Sequence, residues 1–317
     1  MTQKNIFLVT GGAGFIGSHL CEYLVKRGDE VVCFDNLSTG RRENIEHLRG
    51  KFTFIEGDTN NFAELEKVFK ENKFDGIFHY AAVVGVKRTL EKSLDVLNDI
   101  DGTRNVLKLA LTHGKPKVVF ASSSEVYGEP VEIPEVEDGH INPHLSYAVV
   151  KLYSENLMEA YWKEHKLSTC SLRFFNVYGP RQESSDYGFV VGIFIKRVLE
   201  GKPPVIFGDG MQTRDFVYID DNVDASVKAF ESNNTNGEVI NIGTGKPTTI
   251  LDLAEEIVFL CGQEGKLKPE FAPRRDDVRH RFPDISKMRR LLNHRGKIPL
   301  REGLKKTIEH YSKVSRR

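Results

Sequence analysis

Residues 8–17 read Leu8-Val9-Thr10-Gly11-Gly12-Ala13-Gly14-Phe15-Ile16-Gly17, so that an apolar run leads into glycines spaced three apart. An amphipathic run from Ser18 to Arg27 follows. Glycine lets the backbone turn tightly and approach a pyrophosphate closely, and the helix that follows presents free N–H groups to the anion. Because an ordinary strand-to-helix turn can also be glycine-rich, a dinucleotide site is indicated only if an acidic residue ends the next strand.

That acidic residue is Asp35, which ends the apolar run Val31–Phe34 and lies 18 residues after Gly17. In dinucleotide-binding folds a carboxylate at this place contacts the adenosine ribose and disfavours a 2′-phosphate. The sequence therefore predicts NAD as the cofactor. Two alternatives stay open: Arg41 and Arg42 could accept the extra phosphate of NADP, and Asp35 could simply open the turn that follows it.

Short apolar runs alternate with amphipathic stretches along the first half of the chain. The runs are Ile6–Thr10, Val31–Phe34, Phe52–Glu56, Gly76–Tyr80, Lys117–Ser122 and Thr169–Phe174. This alternation predicts an α/β protein with a Rossmann-type, doubly wound parallel sheet, which binds ligands at the carboxyl ends of its strands. We expect residues 1–174 to form the cofactor-binding domain, with later segments returning to it, and residues 175–317 to form a smaller α+β substrate lobe.

The charges of the 317 residues balance, with 45 Lys and Arg against 45 Asp and Glu. A neutral chain offers no general attraction to nucleic acid or to anionic membranes, so we expect neither as a partner. No signal-like segment precedes the first apolar run, and no apolar run approaches the ~18 residues of a membrane span. We expect a soluble cytoplasmic protein. The four cysteines are scattered without a Cys-x-x-Cys pair, which predicts reduced thiols rather than disulfides or a metal site.

Tyr147 and Lys151 are four residues apart at the start of a helical pattern, which places them on one helix face about 6 Å apart along the axis. A cation can then lie beside the phenol. Tyrosine has a pKa of about 10, so a base at pH 7 needs this cation and the cationic nicotinamide to lower the pKa. A pair on the helix surface is the alternative. The glycine turn, Asp35 and the serines Ser122–Ser124 favour a redox site instead.

Several longer motifs follow one another in the order typical of one enzyme family. They are Gly11-x-x-Gly14-x-x-Gly17, Asp35-Asn36-Leu37-Ser38-Thr39-Gly40, Ser123-x-x-Val126-Tyr127-Gly128, Tyr147-x-x-x-Lys151, Arg173 to Arg181, and Gln212 to Tyr218. With them the chain resembles, nearly end to end, the extended short-chain dehydrogenases/reductases that act on nucleotide sugars as NAD-dependent epimerases and dehydratases. The resemblance implies that Ser123 hydrogen-bonds a sugar hydroxyl, that Tyr147 removes its proton, and that hydride passes from C4 to NAD.

The same resemblance implies the residues that bind the two ligands. For NAD they are, with Tyr147 and Lys151, Gly11, Gly14, Phe15, Ile16, Gly17, Asp35, Asn36, Ser38, Thr39, Gly40, Asp58, Thr59, Ala81 and Ala82. For the nucleotide sugar they are Ser123, Ser124, Asn176, Arg214, Arg274 and Arg281. Arginine suits a diphosphate because its planar group binds phosphate oxygens in pairs. One position departs from the family pattern, since Asp99 stands where relatives usually carry an asparagine.

The fate of the oxidised sugar depends on a few positions whose resemblances disagree. Glu125, a fourth candidate catalytic residue, follows Ser123 and Ser124 as in sugar 4,6-dehydratases and uronate decarboxylases, where the glutamate assists the chemistry. Arg281 lies where decarboxylases carry an arginine, which could pair with a sugar carboxylate or, within the protein, with Glu125 or Asp284. Residues 188–219, in contrast, are more similar to 4-epimerases.

The resemblance as a whole is nearest to UDP-sugar 4-epimerases, of the UDP-glucose/galactose or the UDP-N-acetylhexosamine/uronate type. Glu125 and Arg281 then shape the sugar pocket. The alternative is a UDP-glucuronate decarboxylase or a nucleotide-sugar 4,6-dehydratase that uses both residues in its chemistry. A non-catalytic protein that senses the dinucleotide is a hypothesis of another class, because fold does not determine function. By analogy we also expect a homodimer, formed through the helices near residues 94–111 and 147–161.

Overall fold

A computed structural model describes residues 4–185, 188–274 and 278–314, with the backbone alone for residues 86 and 87. These residues form thirteen strands and ten helices, joined in places by short 3₁₀ turns. The strands are β1 (Ile6–Thr10), β2 (Glu30–Asp35), β3 (Thr53–Glu56), β4 (Gly76–His79), β5 (Lys117–Ser123), β6 (Thr169–Phe174), β7 (Asn176–Tyr178), β8 (Val205–Phe207), β9 (Thr213–Tyr218), β10 (Glu238–Ile242), β11 (Pro247–Thr249), β12 (Glu270–Ala272) and β13 (His280–Arg281). The helices are α1 (Phe15–Arg27), α2 (Phe62–Glu71), α3 (Val86–Glu91), α4 (Ser93–Thr112), α5 (Ser146–His165), α6 (Val190–Leu199), α7 (Ile219–Glu231), α8 (Ile250–Leu260), α9 (Ser286–Leu292) and α10 (Leu300–Val314).

Seven of these strands form one parallel sheet, in the order β10-β6-β5-β4-β1-β2-β3. The strand order reverses its direction at β1, which pairs with β2 on one side and with β4 on the other. This reversal opens a crevice at the carboxyl ends of the strands, beside the turn that leads into α1. The predicted α/β class with a Rossmann-type, doubly wound parallel sheet is therefore confirmed.

Both faces of the sheet are covered, and strand β1 shows why its sequence is apolar without interruption. Phe7 and Val9 pack into the hydrophobic cluster on one face, and Leu8 packs into the cluster on the other face. All three side chains are fully buried. A strand that is buried on both faces needs apolar residues at consecutive positions, because successive side chains point to opposite sides.

Three differences between predicted and observed bounds concern the site. Helix α1 begins at Phe15, directly after Gly14, and not at Ser18, so Gly17 belongs to the first turn of the helix. Strand β2 includes Asp35, and β5 extends to Ser123, so both polar residues belong to the ends of strands.

None of the helices in the described residues is long and apolar enough to cross a membrane.

The chain leaves the main sheet after β6 and forms a second, smaller sheet. There β9 is central and pairs with β7, β11 and β13, while β8 and β12 form a separate parallel pair. Between these pieces β10 returns to the edge of the main sheet, and α7 packs against α1, β5 and β6. Segments after residue 174 thus lie in both parts of the molecule, and the boundary at that residue stays a prediction.

Candidate active site

The glycine segment after β1 needs glycine for steric reasons. Gly11 has φ +69°, and a Cβ atom there would lie 2.6 Å from the backbone nitrogen of Ala81 at the end of β4. A Cβ atom on Gly17 would collide with the carbonyl oxygen of Gly11. Helix α1 starts after Gly14 with no side chain capping its first N–H groups. The turn therefore brings bare backbone and uncapped helix donors to the crevice, which suits an anionic ligand.

Asp35 ends β2 beside this turn, and its carboxylate organises the backbone around it. One oxygen accepts from the backbone N–H of Ala13 at 2.9 Å, and the other accepts from that of Leu37 at 2.7 Å. Burial raises the pKa of Asp35, and these N–H donors oppose the rise. A Cβ atom on Gly40 would lie 2.8 Å from the carboxylate. The carboxylate thus holds the glycine turn and the next turn together, and its contact with a ribose stays a prediction.

A cavity of about 1670 Å³ runs along the carboxyl ends of the strands. Of the residues predicted to bind NAD, all but Gly40 line it. The wall also includes Ser123, Ser124, Glu125 and Asn176 from the predicted catalytic and sugar-binding sets. The structure therefore gathers most of the predicted site in one cleft, although the role of each residue in it stays a prediction.

Tyr147 and Lys151 lie on one face at the start of α5, as the spacing predicts. The Lys151 Nζ lies 5.4 Å from the centre of the Tyr147 ring and donates a 2.7 Å hydrogen bond to the carbonyl oxygen of Ala121. The side chain of Ser123 faces the Tyr147 hydroxyl, and this interaction lowers the pKa of the phenol. Phenol, serine hydroxyl and ammonium group thus meet on the wall of the cleft, which is the arrangement that proton transfer from a sugar hydroxyl needs.

Burial controls the protonation of this pair. It raises the pKa of the Tyr147 phenol above its ordinary value. It also lowers the pKa of Lys151 to about 8, against the attraction of the Asp99 and Glu155 carboxylates. Without a further positive charge nearby, the phenol therefore remains protonated at neutral pH.

Asp99, the departure from the family pattern, lies in the wall of the same cleft. Its carboxylate accepts a 2.7 Å hydrogen bond from the backbone N–H of Val83. Burial raises the pKa of Asp99 to about 6, while this donor and the charge of Lys151 oppose the rise. The carboxylate thus accepts a backbone hydrogen bond that an amide oxygen could also accept, and it adds a negative charge near Lys151.

Glu125 lies in the wall of the cavity, and its side chain pairs with a buried cation. It lies in the 3₁₀ turn Ser124–Tyr127, and its backbone N–H donates to the Ser123 hydroxyl at 3.2 Å. Its carboxylate, 41% exposed, pairs with the Nη1 group of Arg281, which is itself only 2% exposed. The Nη2 group of Arg281 donates to the carbonyl oxygen of Gly128 at 2.7 Å. Of the two ion pairs considered for Arg281, the one with Glu125 is therefore present.

The remaining predicted sugar-binding residues lie on the second sheet and beside it. Asn176 faces the cavity and donates to the carbonyl oxygen of Asp215 at 3.3 Å. The Arg214 guanidinium donates to the carbonyl oxygens of Thr213 at 2.9 Å and Val278 at 2.8 Å. The Arg274 side chain lies beside Gly208, where an added Cβ atom would be 3.5 Å from Arg274 Cγ. Among the residues described, Arg214, Arg274 and Arg281 are not part of the cavity wall, so their contact with a diphosphate or a sugar stays a prediction.

Sequence reasoning missed one residue of this region, Glu135. Its carboxylate is 2% exposed, and Oε1 lies 3.7 Å from the Nε of Arg281. The cause is tertiary, because the Glu135 backbone pairs with Phe282 and Asp284 on the segment after β13. No spacing or motif in the sequence indicates this contact.

The comparisons with known proteins all point to one enzyme family, whose members differ in activity. The sequence model of the NAD dependent epimerase/dehydratase family matches residues 7–243. A UDP-N-acetyl-alpha-D-glucosaminuronate decarboxylase of Bacillus cytotoxicus is 37% identical over 98% of this chain and 99% of its own. A UDP-glucose 4-epimerase of Mycolicibacterium smegmatis is 38% identical over 97% and 99%. The solved structure of a Thermotoga maritima UDP-glucose 4-epimerase with UDP-glucose has a TM-score of 0.92 at 36% identity, covering 98% of this chain and 99% of that one.

These matches extend over nearly the whole chain and include the crevice, so the resemblance drawn from the motifs is confirmed. NAD as the cofactor, predicted from Asp35, is confirmed by the family. The chain is an enzyme of the NAD dependent epimerase/dehydratase family.

Proposed function

We propose that the protein is an NAD-dependent UDP-sugar 4-epimerase that oxidises C4 transiently and returns hydride to the other face of the sugar. Relatives of this activity are similar over nearly the full chain. The observation that carries the choice is the state of Arg281, whose guanidinium is already held by Glu125 and by the carbonyl oxygen of Gly128. A cation that is neutralised within the protein offers no ready partner to a sugar carboxylate.

The residues of the crevice fit the cofactor. The bare backbone at Gly11 and Gly17 leaves room that a Cβ atom would fill, and the uncapped start of α1 can hold the pyrophosphate. The Asp35 carboxylate lies in the wall where an adenosine ribose would lie. When bound there, NAD supplies the acceptor and later the donor of the hydride.

The residues of this chain then supply the proton chemistry. Ser123 hydrogen-bonds the C4 hydroxyl, and Tyr147 removes its proton while C4 is oxidised. The Lys151 ammonium group stabilises the phenolate because opposite charges a few ångströms apart in a buried site attract strongly. In the return step Tyr147 gives the proton back to the same oxygen, so the 4-keto sugar is an intermediate and not a product.

Asn176, Arg214 and Arg274 hold the nucleotide diphosphate in this proposal. Their chemistry suits it, since an amide and two guanidinium groups donate to phosphate oxygens. The second sheet carries Arg214 on β9 and Asn176 on the neighbouring strand β7, where Asn176 pairs with Phe216, two residues after Arg214. Asn176 also lines the cavity.

A second candidate, a UDP-glucuronate decarboxylase or a nucleotide-sugar 4,6-dehydratase, is favoured by one observation. The Glu125 carboxylate reaches the cavity next to Ser123, where an acid or base could act on the keto sugar. The Bacillus cytotoxicus relative carries a decarboxylase name. In this candidate Arg281 exchanges Glu125 for the carboxylate of the sugar.

Product analysis separates the two. The purified protein is incubated separately with UDP-glucose, UDP-N-acetylglucosamine and UDP-glucuronate, and the sugar is followed by NMR. We expect an equilibrium mixture of C4 epimers from one of them; release of carbon dioxide or a 6-deoxy-4-keto product would contradict the epimerase. The Glu125→Gln variant should lower epimerisation by only about tenfold, as loss of a supporting contact does. It should lower any decarboxylase or dehydratase activity by about 10²–10⁴-fold, as loss of an acid–base group does.

We also propose that the enzyme is a cytoplasmic homodimer. Helices α4 and α5 pack against each other, and apolar side chains remain exposed on α3, α4 and α5 at Leu90, Leu94, Leu97 and Val149. The side chain of Leu94, at the start of α4, is 78% exposed. Light scattering should give twice the chain mass for the wild type and the single chain mass for Leu94→Glu; a monomeric wild type contradicts the dimer.

A further inference from the structure

Arg281 makes two complete contacts and one incomplete contact. Its Nη1 group meets Glu125 and its Nη2 group meets the carbonyl oxygen of Gly128. Among the residues that the structure describes, neither its Nε nor either carboxylate oxygen of Glu135 has a hydrogen-bond partner, although the Nε lies only 3.7 Å from Glu135 Oε1. An N–H···O hydrogen bond is about 2.9 Å long, so a shift of less than about 1 Å completes this contact. The buried cation therefore lies between two carboxylates and is bound to one.

The backbone keeps Glu135 at this distance. Its N–H donates to the carbonyl oxygen of Phe282 at 3.0 Å, and its carbonyl oxygen accepts from the N–H of Asp284 at 2.8 Å. The side-chain amide of Asn241 donates to the same oxygen at 2.9 Å. The two backbone contacts pair Glu135 with the residues that directly follow Arg281, and the Asn241 contact ties it to β10. The second carboxylate is thus built into the fold as a neighbour of the cation.

The nearness of Glu135 to Arg281 matters because Glu125 has two possible partners, Arg281 and a bound sugar. Its carboxylate is 41% exposed at the cavity, so it can turn toward a bound sugar. If it turned without a replacement, Arg281 would be left as a buried cation with no carboxylate, which is strongly unfavourable. Glu135 is the acidic side chain already placed to replace it.

We propose that Glu135 is a positioning residue, which accepts the Arg281 guanidinium when Glu125 turns to the bound sugar and so makes Glu125 available in the crevice. The inference rests on the proposed function only in taking a sugar as the ligand that Glu125 meets. It holds equally for epimerisation and for the lyase candidate.

The charges around Glu135 support an exchange of this kind. Burial and the Glu125 charge together raise the pKa of Glu135 to about 8, against the opposing effect of Arg281 and Arg214. Glu132 and His140 lie across a small cavity of about 190 Å³ that Glu135 also lines. When Glu125 moves away, its repulsion weakens and the attraction of Arg281 is no longer shared, so the pKa of Glu135 falls. Glu135 then releases its proton and binds Arg281 as an anion.

A double-mutant cycle on kcat and KM tests the proposal, with Glu125→Gln, Glu135→Gln and the double variant. Glu135→Gln is nearly isosteric and removes only the ionisable group, so its melting temperature should stay near that of the wild type. We expect Glu135→Gln to lower kcat by about tenfold with little change in KM, as loss of a supporting contact does. In the Glu125→Gln background the same change should have almost no effect, because Glu125 is the group through which it acts. The control is Glu132→Gln, an exposed neighbour that keeps full activity.

The pH profile gives a readout that a merely structural role would not change. Because kcat/KM reports the free enzyme, in which Glu125 still holds Arg281, the ratio of wild-type kcat/KM to that of Glu135→Gln should rise as the pH passes through about 8, where Glu135 ionises and competes for Arg281. The proposal is overturned if the decreases in kcat of the two single variants multiply in the double variant. It is also overturned if the ratio does not depend on pH.

A measurement without turnover keeps the two proposals apart. Carboxyl carbon NMR should show a lower pKa for Glu135 in Glu125→Gln than in the wild type, because the neighbouring negative charge is gone; an unchanged or higher pKa overturns the positioning role. If the wild type decarboxylates its substrate, the epimerase proposal fails, and the same cycle is measured on that reaction. If it forms C4 epimers and the cycle is additive, only the positioning role fails.

Discussion

The ammonium nitrogen of Lys151 lies 5.4 Å from the centre of the Tyr147 ring, one helical turn further along α5, and donates to the carbonyl oxygen of Ala121. Strand β5 ends beside this pair with Ser123. One helix start and one strand end therefore hold the phenol, the cation and the serine hydroxyl together. The proton chemistry proposed for the enzyme depends on this junction.

Tyr147→Phe removes only the hydroxyl of this site. We expect kcat to fall by about 10²–10⁴-fold, the usual contribution of a general acid–base group. Binding of the nucleotide sugar, measured by calorimetry, should change little, because the ring remains. Tyr153→Phe, on the same helix but outside the cleft, is the control and should keep wild-type kcat. A Tyr147→Phe variant with wild-type kcat would contradict the role of Tyr147.

The pH dependence of activity should follow Lys151. Burial lowers its pKa to about 8, so the ammonium charge is present at pH 7 and is lost as the pH rises through about 8. Because the phenolate needs that charge, kcat should decrease over the same range. Arginine keeps its charge to a pH above 12, so a folded Lys151→Arg variant that retains activity should lose this alkaline limb. An alkaline limb of equal position in both proteins would rule out Lys151 as its source.

Gly11→Ala tests the backbone approach at the glycine turn. The new methyl group would lie 2.6 Å from the Ala81 nitrogen, and the residue would keep φ +69°. We expect NAD affinity to fall at least tenfold, which corresponds to about 1.4 kcal/mol.

The matched control for that change is Gly262→Ala. Gly262 has a similar φ of +67°, and no atom of the described residues lies within 4 Å of the added methyl group. It therefore carries the backbone strain of about 1–2 kcal/mol without the collision. Its stability should fall while NAD titration gives the wild-type affinity; equal losses of affinity in both variants would show that strain alone is responsible.

The buried ion pair under the site should dominate local stability. Arg173 and Glu155 are each 4% exposed, and the Nη2 group of Arg173 lies 2.8 Å from Glu155 Oε2. Arg173→Met leaves the Glu155 carboxylate buried and unpaired, which should cost about 3–5 kcal/mol of unfolding free energy. Lys70→Met, which breaks the exposed pair with Glu66, should leave the unfolding free energy almost unchanged, because water screens this pair. Urea denaturation measures both, and similar losses would contradict the argument.

Much of the fold is predictable because its signals are local. The uninterrupted apolar run of β1 indicates a strand buried on both faces, and the glycines after it indicate the turn into α1. The spacing of Tyr147 and Lys151 places them on one helix face whatever the rest of the chain does. Which strands neighbour one another, in contrast, follows from the crossovers, and the return of β10 to the edge of the main sheet has no local signal.

The sequence by itself determined the fold class, the position of the dinucleotide turn and the family, because strand burial, glycine geometry and helix spacing act over a few residues. Only the tertiary structure decided what Arg281 binds. Its partners Glu125, Gly128 and Glu135 are more than 140 residues away along the chain, and they meet it because the segment after β13 pairs with the backbone of Glu135. A charge buried by distant segments takes its partner from the packing, which no spacing in the sequence records.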